Sequence, residues 1–465
     1  MIPVFIGRTE ELRSLNNYYN SDKFECAVIY GRRRVGKTEL INEFVKDKKH
    51  VFFTAVEGTY KRNLDNLSKS IISGLEGNVR ISSPKFSEFS DCLDYLHHNS
   101  HEKLVVVFDE YPYFAQSEKS VSSVLQQYID HHFQKTDIMF ILCGSSMSFM
   151  ETQIMGSKSP LYGRRTCQYK ILPFDFSTSM LFHSSFTKQE KAIIYAITGG
   201  IPKYLLQFDD KKSLRDNIAE SFFSPGSLFF EEPNNLLKQE LREPAVYNSI
   251  ITAIASGSSK LSEIATKSYL STSTCSNYLT SLIALNIVKK NLPVLAQPNA
   301  KNTLYRLNDG MFRFWYRFVY DNVSEISMYK GDFVYEQIEP FIPDFMGEAF
   351  EDICIQWLWR ENFEGRLPFS FKDCGRWWGT NPIYRAQREI DILAHGKDRE
   401  SAIFCECKWR NEKVSAGTIN DLVDRSVMFN YNAKYYFVFS KSGFTTGAKA
   451  MASENVRLID FDDMF

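Results

Sequence analysis

Short apolar runs, separated by segments with helical spacing, dominate the first 175 residues of the chain. These runs lie at residues 26–30, 50–55, 104–110, 137–146 and 168–172. Continuous apolar runs of this length are typical of parallel strands that are buried on both faces. The pattern therefore predicts an α/β domain, built on a parallel sheet, over residues 1–175.

From residue 176 the apolar residues have helical spacing, which predicts a helical lid over residues 176–240. The segment Gly199-Gly200-Ile201-Pro202 interrupts this pattern. Two glycines followed so closely by a proline must end one helix and start another. We therefore expect the lid to contain a sharp turn at this point.

Three amphipathic segments and two short strand-like segments predict a winged helix over residues 241–330. A helix that reads DNA usually brings basic residues to the phosphates. The third predicted helix has no Lys or Arg between Ser271 and Asn286, although its hydroxyl groups could contact phosphate. A structural or protein-contacting role is therefore favoured over sequence-specific reading of DNA.

The pattern changes again near residue 335. An amphipathic helix at 346–358 precedes three strand-like segments, at 375–379, 387–394 and 402–409. Further helix and strand segments follow them to the end of the chain. This order predicts a C-terminal α/β domain over residues 335–465.

Composition adds limits to this picture of several domains. The chain has 465 residues, of which 44% are hydrophobic, and its net charge of −1 means that any basic surface must be local. Nine cysteines without a C-x-x-C pair, and an N-terminus without a signal-peptide pattern, indicate reduced thiols in a cytoplasmic protein. No apolar run is long enough to span a bilayer, so we expect no membrane partner, and a homo-oligomer is left open.

A phosphate-binding loop follows the first apolar run and precedes a segment of helical spacing. Backbone N–H groups and the helix dipole can hold anionic phosphate at such a junction. We expect Lys37 to reach the β- and γ-phosphates of ATP and Thr38 to hold Mg²⁺ through its hydroxyl group. The predicted nucleotide-binding residues, which read G-x-x-x-x-G-K-T, are Gly31, Arg32, Arg33, Arg34, Val35, Gly36, Lys37 and Thr38.

Polar residues end the third and fourth apolar runs. We expect Asp109 to hold Mg²⁺, directly or through water, and Glu110 to be the base that polarises the attacking water. The fourth run should form a strand between the two motif strands. In that position Ser145 or Ser146 could sense the γ-phosphate by a hydrogen bond.

Arg164 and Arg165 lie between the fourth and fifth apolar runs. Arginines near a transferred phosphoryl group neutralise transition-state charge, either within one chain or from a neighbouring chain. These two residues could serve that purpose, or they could be ordinary surface charges. The sequence leaves both alternatives open.

Four motifs of the first 230 residues together resemble the archaeal-type ATPases. They are the F-x-G-R start at Phe5–Arg8, the phosphate loop, the Asp-Glu strand end and the G-G-I-P turn at Gly199–Pro202. These ATPases belong to the STAND-like branch of the additional-strand P-loop NTPases, which are relatives of AAA+ proteins. The resemblance implies ATP binding, slow hydrolysis and a role as a conformational switch. It also implies that the turn containing Pro202 packs against the nucleotide base.

A second group of candidate residues lies on two neighbouring predicted strands of the C-terminal domain. Glu406 and Lys408 point to one face of their strand, where Asp391 of the adjacent strand can meet them. Two carboxylates can hold one or two Mg²⁺ ions, and the lysine can orient or deprotonate a nucleophilic water. A carboxylate of the preceding helix, Glu348 or Glu351, would complete the metal site.

The segments G-E-x-F-E, G-R-W-W-G, E-I-D and E-C-K-W resemble the PD-(D/E)xK nuclease fold. In particular, they resemble the nuclease-like domain attached to archaeal-type ATPases. One departure is that Ile390, rather than proline, precedes Asp391. The resemblance implies metal-dependent cleavage of DNA, controlled by nucleotide state. Because relatives often keep this fold without shown activity, a nucleotide-dependent signalling or scaffolding switch with an inactive tail remains the alternative.

Overall fold

The computed structural model describes residues 5–77, 85–297, 300, 302–381, 385–397 and 400–465. Over these residues the chain forms two compact units. The first unit comprises Met1–Pro173 together with Ile201–Lys203, and the second comprises Phe174–Gly200 together with Tyr204–Phe465. The short return of the chain to the first unit coincides with the predicted G-G-I-P turn.

A five-stranded sheet forms the centre of the first unit. Its strands are β1 (Glu25–Tyr30), β2 (His50–Thr54), β3 (Leu104–Asp109), β4 (Ile138–Gly144) and β5 (Cys167–Lys170). All neighbouring strands are parallel, in the order β2-β3-β4-β1-β5. The described helices of this unit are α1 (Thr9–Tyr19), α2 (Lys37–Val45), α3 (Tyr60–Glu76), α4 (Phe89–Asn99), α5 (Tyr111–Ser117), α6 (Val121–His131) and α7 (Met147–Phe149).

Both faces of this sheet are buried, as the continuous apolar runs predict. On β1, Val28 and Tyr30 pack into one core cluster, whereas Ala27 and Ile29 pack into the other. Full burial of a valine or isoleucine side chain stabilises the fold by about 1.5–3 kcal/mol. The prediction that the fourth run lies between the two motif strands is confirmed, because β4 pairs with β1 on one side and with β3 on the other.

The second unit begins with short helices. These are α8 (Phe176–Ser179), α9 (Lys188–Thr198), α10 (Pro202–Leu205), α11 (Leu214–Phe222) and α12 (Leu228–Glu240). The first two residues of α10 belong to the first unit. The predicted helix break is confirmed, because Gly199 ends α9 with a φ of 60° and Pro202 starts α10. A left-handed backbone conformation of this kind favours glycine.

Three helices and an antiparallel hairpin follow in the predicted order. They are α13 (Pro244–Ala255), α14 (Leu261–Lys267), α15 (Thr272–Ala284), β6 (Val288–Asn291) and β7 (Leu304–Leu307). The Ser271 hydroxyl oxygen accepts a hydrogen bond from the Thr274 N–H and caps α15, at a distance of 3.2 Å. Helices α16 (Gly310–Phe318), α17 (Val323–Ser327) and α18 (Gly331–Ile338) come next.

A mixed sheet forms the C-terminal part of the second unit. Its strands are β8 (Phe371–Asn381), β9 (Ala386–Gly396), β10 (Ser401–Lys408), β11 (Ala433–Ser440) and β12 (Val456–Asp460). In the order β12-β11-β10-β9-β8, the first three strands are mutually parallel, and the β10–β9 and β9–β8 pairs are antiparallel. The helices of this part are α19 (Ile342–Phe363), α20 (Ala416–Ser426) and α21 (Thr446–Lys449). Within the described ranges, no helix is long and apolar enough to cross a bilayer.

Candidate functional site

The phosphate loop of the first unit has a backbone that only certain residues allow. Gly36 has a φ of 85° and Arg34 a φ of 73°, both in the left-handed region. A Cβ atom on Gly31 would lie 2.4 Å from the carbonyl oxygen of Ile171, so a side chain does not fit there. The loop therefore turns tightly between β1 and the start of α2.

Lys37 is the first residue of α2 and is buried. Its Nζ donates hydrogen bonds to the carbonyl oxygens of Gly31 and Arg32, each at 3.0 Å. Burial lowers the pKa of Lys37, while the nearby carboxylates of Asp109 and Glu110 act in the opposite direction. The ammonium group of Lys37 therefore lies inside the phosphate loop, where a phosphate would also bind.

The acidic end of β3 lies beside the start of α2. The Thr38 hydroxyl donates a hydrogen bond to Oδ2 of Asp109 at 3.1 Å. Oδ1 of Asp109 accepts a hydrogen bond from the N–H of Glu110 at 3.0 Å. A hydroxyl and a carboxylate at this separation are hard oxygen donors, which fit Mg²⁺.

Glu110 contacts the end of β4. The Ser145 hydroxyl lies 2.9 Å from Oε1 and 2.8 Å from Oε2 of Glu110, and it donates a hydrogen bond to this carboxylate. The Ser145 N–H donates to Oε2 at 3.2 Å. Glu110 itself has a φ of 49°, a conformation that is uncommon for a residue other than glycine. The backbone and Ser145 together fix this carboxylate.

Three further side chains of the first unit lie in the phosphate loop or next to it. Arg8 of the F-x-G-R start donates hydrogen bonds to the carbonyl oxygens of Val35, at 3.2 Å, and Leu172, at 2.5 Å. The ring of Pro202 lies 3.8 Å from the position that a Cβ on Gly36 would take. Arg33 Nη2 donates a hydrogen bond to the Tyr113 hydroxyl at 2.8 Å. Apart from the F-x-G-R start and the phosphate-loop motif, nothing in the sequence predicts these contacts of Arg8 and Arg33.

The two candidate arginines after β4 contact groups outside the phosphate loop. Arg164 makes a bidentate ion pair with Asp130, with Nε–Oδ1 and Nη2–Oδ2 distances of 3.0 and 2.9 Å. Arg165 donates a hydrogen bond to the carbonyl oxygen of Met155 at 3.3 Å and lies over the ring of Tyr162. Bidentate pairing restrains Arg164 strongly.

Asp391, Glu406 and Lys408 lie together on the adjacent strands β9 and β10. The N–H of Cys407 donates a hydrogen bond to Oδ2 of Asp391 at 2.8 Å. Burial raises the pKa of Asp391, and the charge of Glu406 raises it further. Glu406 is ion-paired through one oxygen with Lys408 and through the other with Arg425 of α20, at 2.5 Å from Arg425 Nη2. No motif in the sequence indicates Arg425.

The two helix carboxylates of α19 have different surroundings. Glu348 is paired with Arg306 and Arg313, at 3.7 and 3.4 Å. Glu351 lies 3.4 Å from Arg376 of β8. Burial raises the pKa of Glu351 to about 8 against the effect of Arg376, and the charge of Asp391 adds to the rise. The charges of Glu351 and Asp391 therefore disfavour each other.

The described residues contain no group of three or more His, Cys, Asp or Glu side chains arranged to hold a metal ion. At the phosphate loop the candidate Mg²⁺ ligands are two, the Thr38 hydroxyl and the Asp109 carboxylate, so a group of three is not expected there. At Asp391 and Glu406 there are two carboxylates, and both oxygens of Glu406 have cationic partners. A cation could reach Glu406 there only if Lys408 or Arg425 moves.

The parallel sheet, the phosphate loop after β1 and the Asp-Glu end of β3 define a P-loop ATPase fold. A model of an ATPase domain that occurs predominantly in Archaea matches residues 5–208. A second model, of archaeal and bacterial proteins of unknown function, matches residues 315–419. The chain is also 31% identical over 467 residues to an uncharacterized protein of Methanocaldococcus jannaschii, with 99% of each protein aligned. The chain belongs to the same family as this protein.

Two further comparisons cover less of the chain. An uncharacterized ATP-binding protein of M. jannaschii is 48% identical over 48 residues, which are 10% of this chain and 81% of that protein. The solved structure of a Walker-type ATPase of Pyrococcus abyssi matches with a TM-score of 0.52 and 19% identity. That match covers 67% of this chain and 96% of the P. abyssi chain, and it shows a shared fold. The predicted archaeal-type ATPase domain is thus confirmed, and a separate C-terminal domain with a mixed sheet accompanies it.

Proposed function

We propose that this chain binds and hydrolyses ATP with Mg²⁺, and that its nucleotide state controls a metal-dependent nuclease site that acts on DNA. The observation that carries the ATPase part is the Thr38–Asp109 hydrogen bond of 3.1 Å beside the buried Lys37. It brings the phosphate loop and the acidic strand end to one point. The Glu110 carboxylate lies at the same edge of the sheet.

In the proposed ATPase reaction, the N–H groups of the loop and the N-terminus of α2 bind the phosphates. Lys37 exchanges its two carbonyl partners for β- and γ-phosphate oxygens. Thr38 and Asp109 would hold Mg²⁺, which offsets phosphate charge when it is bound. Glu110 accepts a proton from the attacking water, and Ser145 keeps its carboxylate in place.

The proposal divides the chain into four domains. They are an ATPase core over residues 1–175, a lid over 176–240, a winged helix over 241–330 and a nuclease-like domain over 335–465. The helix-helix-helix-hairpin order of α13, α14, α15 and β6–β7 supports the winged helix. The proposed DNA partner rests on the nuclease-like domain, because α15 has no Lys or Arg. The STAND-like interpretation adds that nucleotide exchange changes the arrangement of these domains.

In the proposed nuclease site, Asp391 and Glu406 would hold Mg²⁺, which activates a water molecule when it is bound. Lys408 orients this water and offsets the charge of the phosphodiester. Of the two helix carboxylates we favour Glu351 over Glu348 as a neighbour of this pair, because the charge of Asp391 acts on Glu351 whereas Glu348 is paired with two arginines. Within the described residues, these side chains do not form a three-carboxylate metal group.

The ATPase part is tested by Glu110→Gln, with Glu102→Gln as a matched control, since Glu102 is exposed. Glu110→Gln should bind ATP with unchanged affinity and lose turnover, because an amide cannot take the proton of water. Equal turnover in the two variants would contradict the assigned base.

The nuclease part is tested by cleavage of plasmid DNA with Mg²⁺, with and without ATP. Wild type and the exposed control Lys413→Ala should cut the plasmid, and Lys408→Ala should not. If no protein cuts under any of these conditions, the nuclease proposal is wrong while the ATPase proposal stands.

A second candidate function is a nucleotide-dependent switch whose C-terminal domain only binds a partner. The observation that favours it is the state of Glu406, because Lys408 and Arg425 each pair with one of its oxygens. A carboxylate satisfied in this way has little tendency to bind a metal. The absence of Lys and Arg from Ser271 to Asn286 also favours a partner other than DNA.

A further inference from the structure

A cavity of about 390 Å³ lies within the second unit, lined by β7, α16, α19 and the turn after α13. Three arginine side chains line it, Arg306 of β7 and Arg313 and Arg317 of α16. Its volume falls in the range of small-ligand sites, which is roughly 300–1,000 Å³. Neither the proposed ATPase site nor the proposed nuclease site includes these arginines.

Arg306 and Arg313 converge on one oxygen atom. Oε2 of Glu348, which also lines the cavity, lies 3.7 Å from Nη1 of Arg306 and 3.4 Å from Nη1 of Arg313. Contacts between a guanidinium group and an anionic oxygen are usually about 2.7–2.9 Å long. A single carboxylate oxygen therefore fills the position between the two arginines loosely.

Both arginines also have a donor that Glu348 does not satisfy. The Nε atoms of Arg306 and Arg313 are buried, and neither has a hydrogen-bond partner among the residues that the structure describes. A buried donor without a partner costs free energy. Guanidinium groups bind phosphate through two N–H groups at once, so rotation of either group towards a phosphate would give its Nε–H an acceptor.

Other contacts hold the two arginines in place. Nη2 of Arg306 pairs with Oδ1 of Asp352 at 2.9 Å, and the guanidinium group of Arg313 lies 4.8 Å from the ring centroid of Phe345. Each arginine side chain is 16% exposed, whereas the side chain of Glu348 is 38% exposed. Glu348 can thus turn to solvent while the arginines stay at the cavity.

The charge and the shape of the cavity favour one kind of ligand. A phosphate monoester carries a charge of about −1.5 to −2 at pH 7 and three acceptor oxygens, more of each than a carboxylate. Ser258 and Ser259 line the same cavity and add hydroxyl donors to the arginines. The low exposure of Arg306 and Arg313 suits a small phosphorylated molecule better than the backbone of a duplex, which binds to an exposed surface.

We propose that this cavity binds a small phosphorylated ligand, whose phosphate group replaces the Glu348 carboxylate between Arg306 and Arg313. Such a site is separate from the phosphate loop and requires neither hydrolysis of ATP nor cleavage of DNA. Binding releases Glu348 from both arginines, and so removes one contact of α19 with β7 and α16.

The test is calorimetric titration of the full chain with inorganic phosphate at constant ionic strength. All proteins carry Lys37→Ala, because the phosphate loop would otherwise bind the same probe. Arg313→Gln should weaken phosphate binding about 10- to 100-fold, since hydrogen bonds between two charged groups are lost. The exposed Arg242→Gln is the matched control and should keep the Kd of the parent.

Glu348→Gln is the sharper variant, because a gain of affinity cannot result from misfolding. Removal of the competing negative charge should strengthen phosphate binding about tenfold, and the exposed Glu412→Gln should leave it unchanged. A purely structural ion-pair network gives another result. In that case Glu348→Gln would lower the Tm without phosphate and leave the Kd of phosphate unchanged, and the proposal would be wrong.

Two further probes identify the source of the phosphate group. AMP that binds more tightly than inorganic phosphate would make a phosphate monoester the ligand, and AMP that binds equally or less tightly would make it free phosphate; both results support the site. A short DNA duplex should bind the parent and Arg313→Gln alike. No binding of inorganic phosphate to the parent, or duplex binding that Arg313→Gln weakens, would overturn the proposal.

Discussion

The Ser145 hydroxyl donates a hydrogen bond to the Glu110 carboxylate, with its oxygen 2.9 and 2.8 Å from the two carboxylate oxygens. The two residues follow neighbouring strands, β3 and β4, whose carboxyl ends meet at one edge of the sheet. This contact joins the proposed base to the residue predicted to sense the γ-phosphate. With Ser145 on the γ-phosphate, as predicted, a change at the nucleotide would reach the base through one side chain.

Ser145→Ala should lower kcat for ATP by about 10- to 100-fold, with little change in the Kd of ATP. Glu110 loses its positioning donor, and the effect should be smaller than the roughly 10²- to 10³-fold loss that follows removal of a donor to the transition state itself. Steady-state turnover and nucleotide titration measure the two quantities. Ser148→Ala, an exposed serine of α7, is the control. Faster turnover in Ser145→Ala would show that the hydrogen bond restrains the base instead of positioning it.

Thr38→Ala should weaken binding of ATP in the presence of Mg²⁺ by about tenfold. It should leave binding in excess EDTA unchanged, because the lost hydroxyl is a metal ligand and not a phosphate anchor. Fluorescent-nucleotide titration with and without Mg²⁺ measures the difference. Thr38→Ser keeps the hydroxyl group and should retain the Mg²⁺ effect. An equal loss of affinity in EDTA would contradict the assigned role.

Most of the candidate ATPase site could be predicted from the sequence, since its main residues follow strand ends directly or lie at the end of the loop after β1. A parallel sheet brings those ends to one edge, so Lys37, Asp109 and Ser145 could be placed near each other from the order of strands alone. The Arg33–Tyr113 and Arg425–Glu406 contacts could not be predicted in this way. Each depends on where a long side chain points, and no fixed spacing in the sequence encodes that direction.

The sequence also does not decide between Glu348 and Glu351 as the helix carboxylate near Asp391. The two residues are three apart on α19, so which of them faces Asp391 depends on the rotation of the helix. Helix α19 buries apolar residues on several sides, among them Phe345, Met346, Ala349 and Phe350. Apolar residues on several sides of a helix do not define one buried face. The sequence alone therefore does not fix the rotation of α19 about its axis.

The contribution of Glu351 to the free energy of unfolding should fall as the pH rises from about 4.5 to about 8, because burial raises the pKa of Glu351 from 4.5 to about 8. Between these values the folded chain holds a proton that the unfolded chain has lost, so folding is favoured at the lower pH. The slope from one such proton is at most about 1.4 kcal/mol per pH unit. Calorimetric Tm values across this range, in EDTA, measure it.

Glu351→Gln should remove this part of the pH dependence, since an amide does not titrate. Glu454→Gln is the control, because Glu454 is exposed. The slope of Tm against pH should be shallower in Glu351→Gln than in wild type and unchanged in Glu454→Gln. Parallel slopes in all three proteins would place the titrating groups elsewhere.

Arg425→Gln should raise the affinity of the C-terminal site for Mn²⁺ about tenfold. The guanidinium group pairs with one oxygen of Glu406 and donates to the carbonyl oxygen of Glu389 at 3.0 Å, so it competes with a cation. Electron paramagnetic resonance of free Mn²⁺, with nucleotide absent, measures the affinity. The exposed Arg410→Gln is the control. Weaker Mn²⁺ binding in Arg425→Gln would mean that Arg425 supports the carboxylate as a ligand, and no binding in any variant would favour the switch over the nuclease.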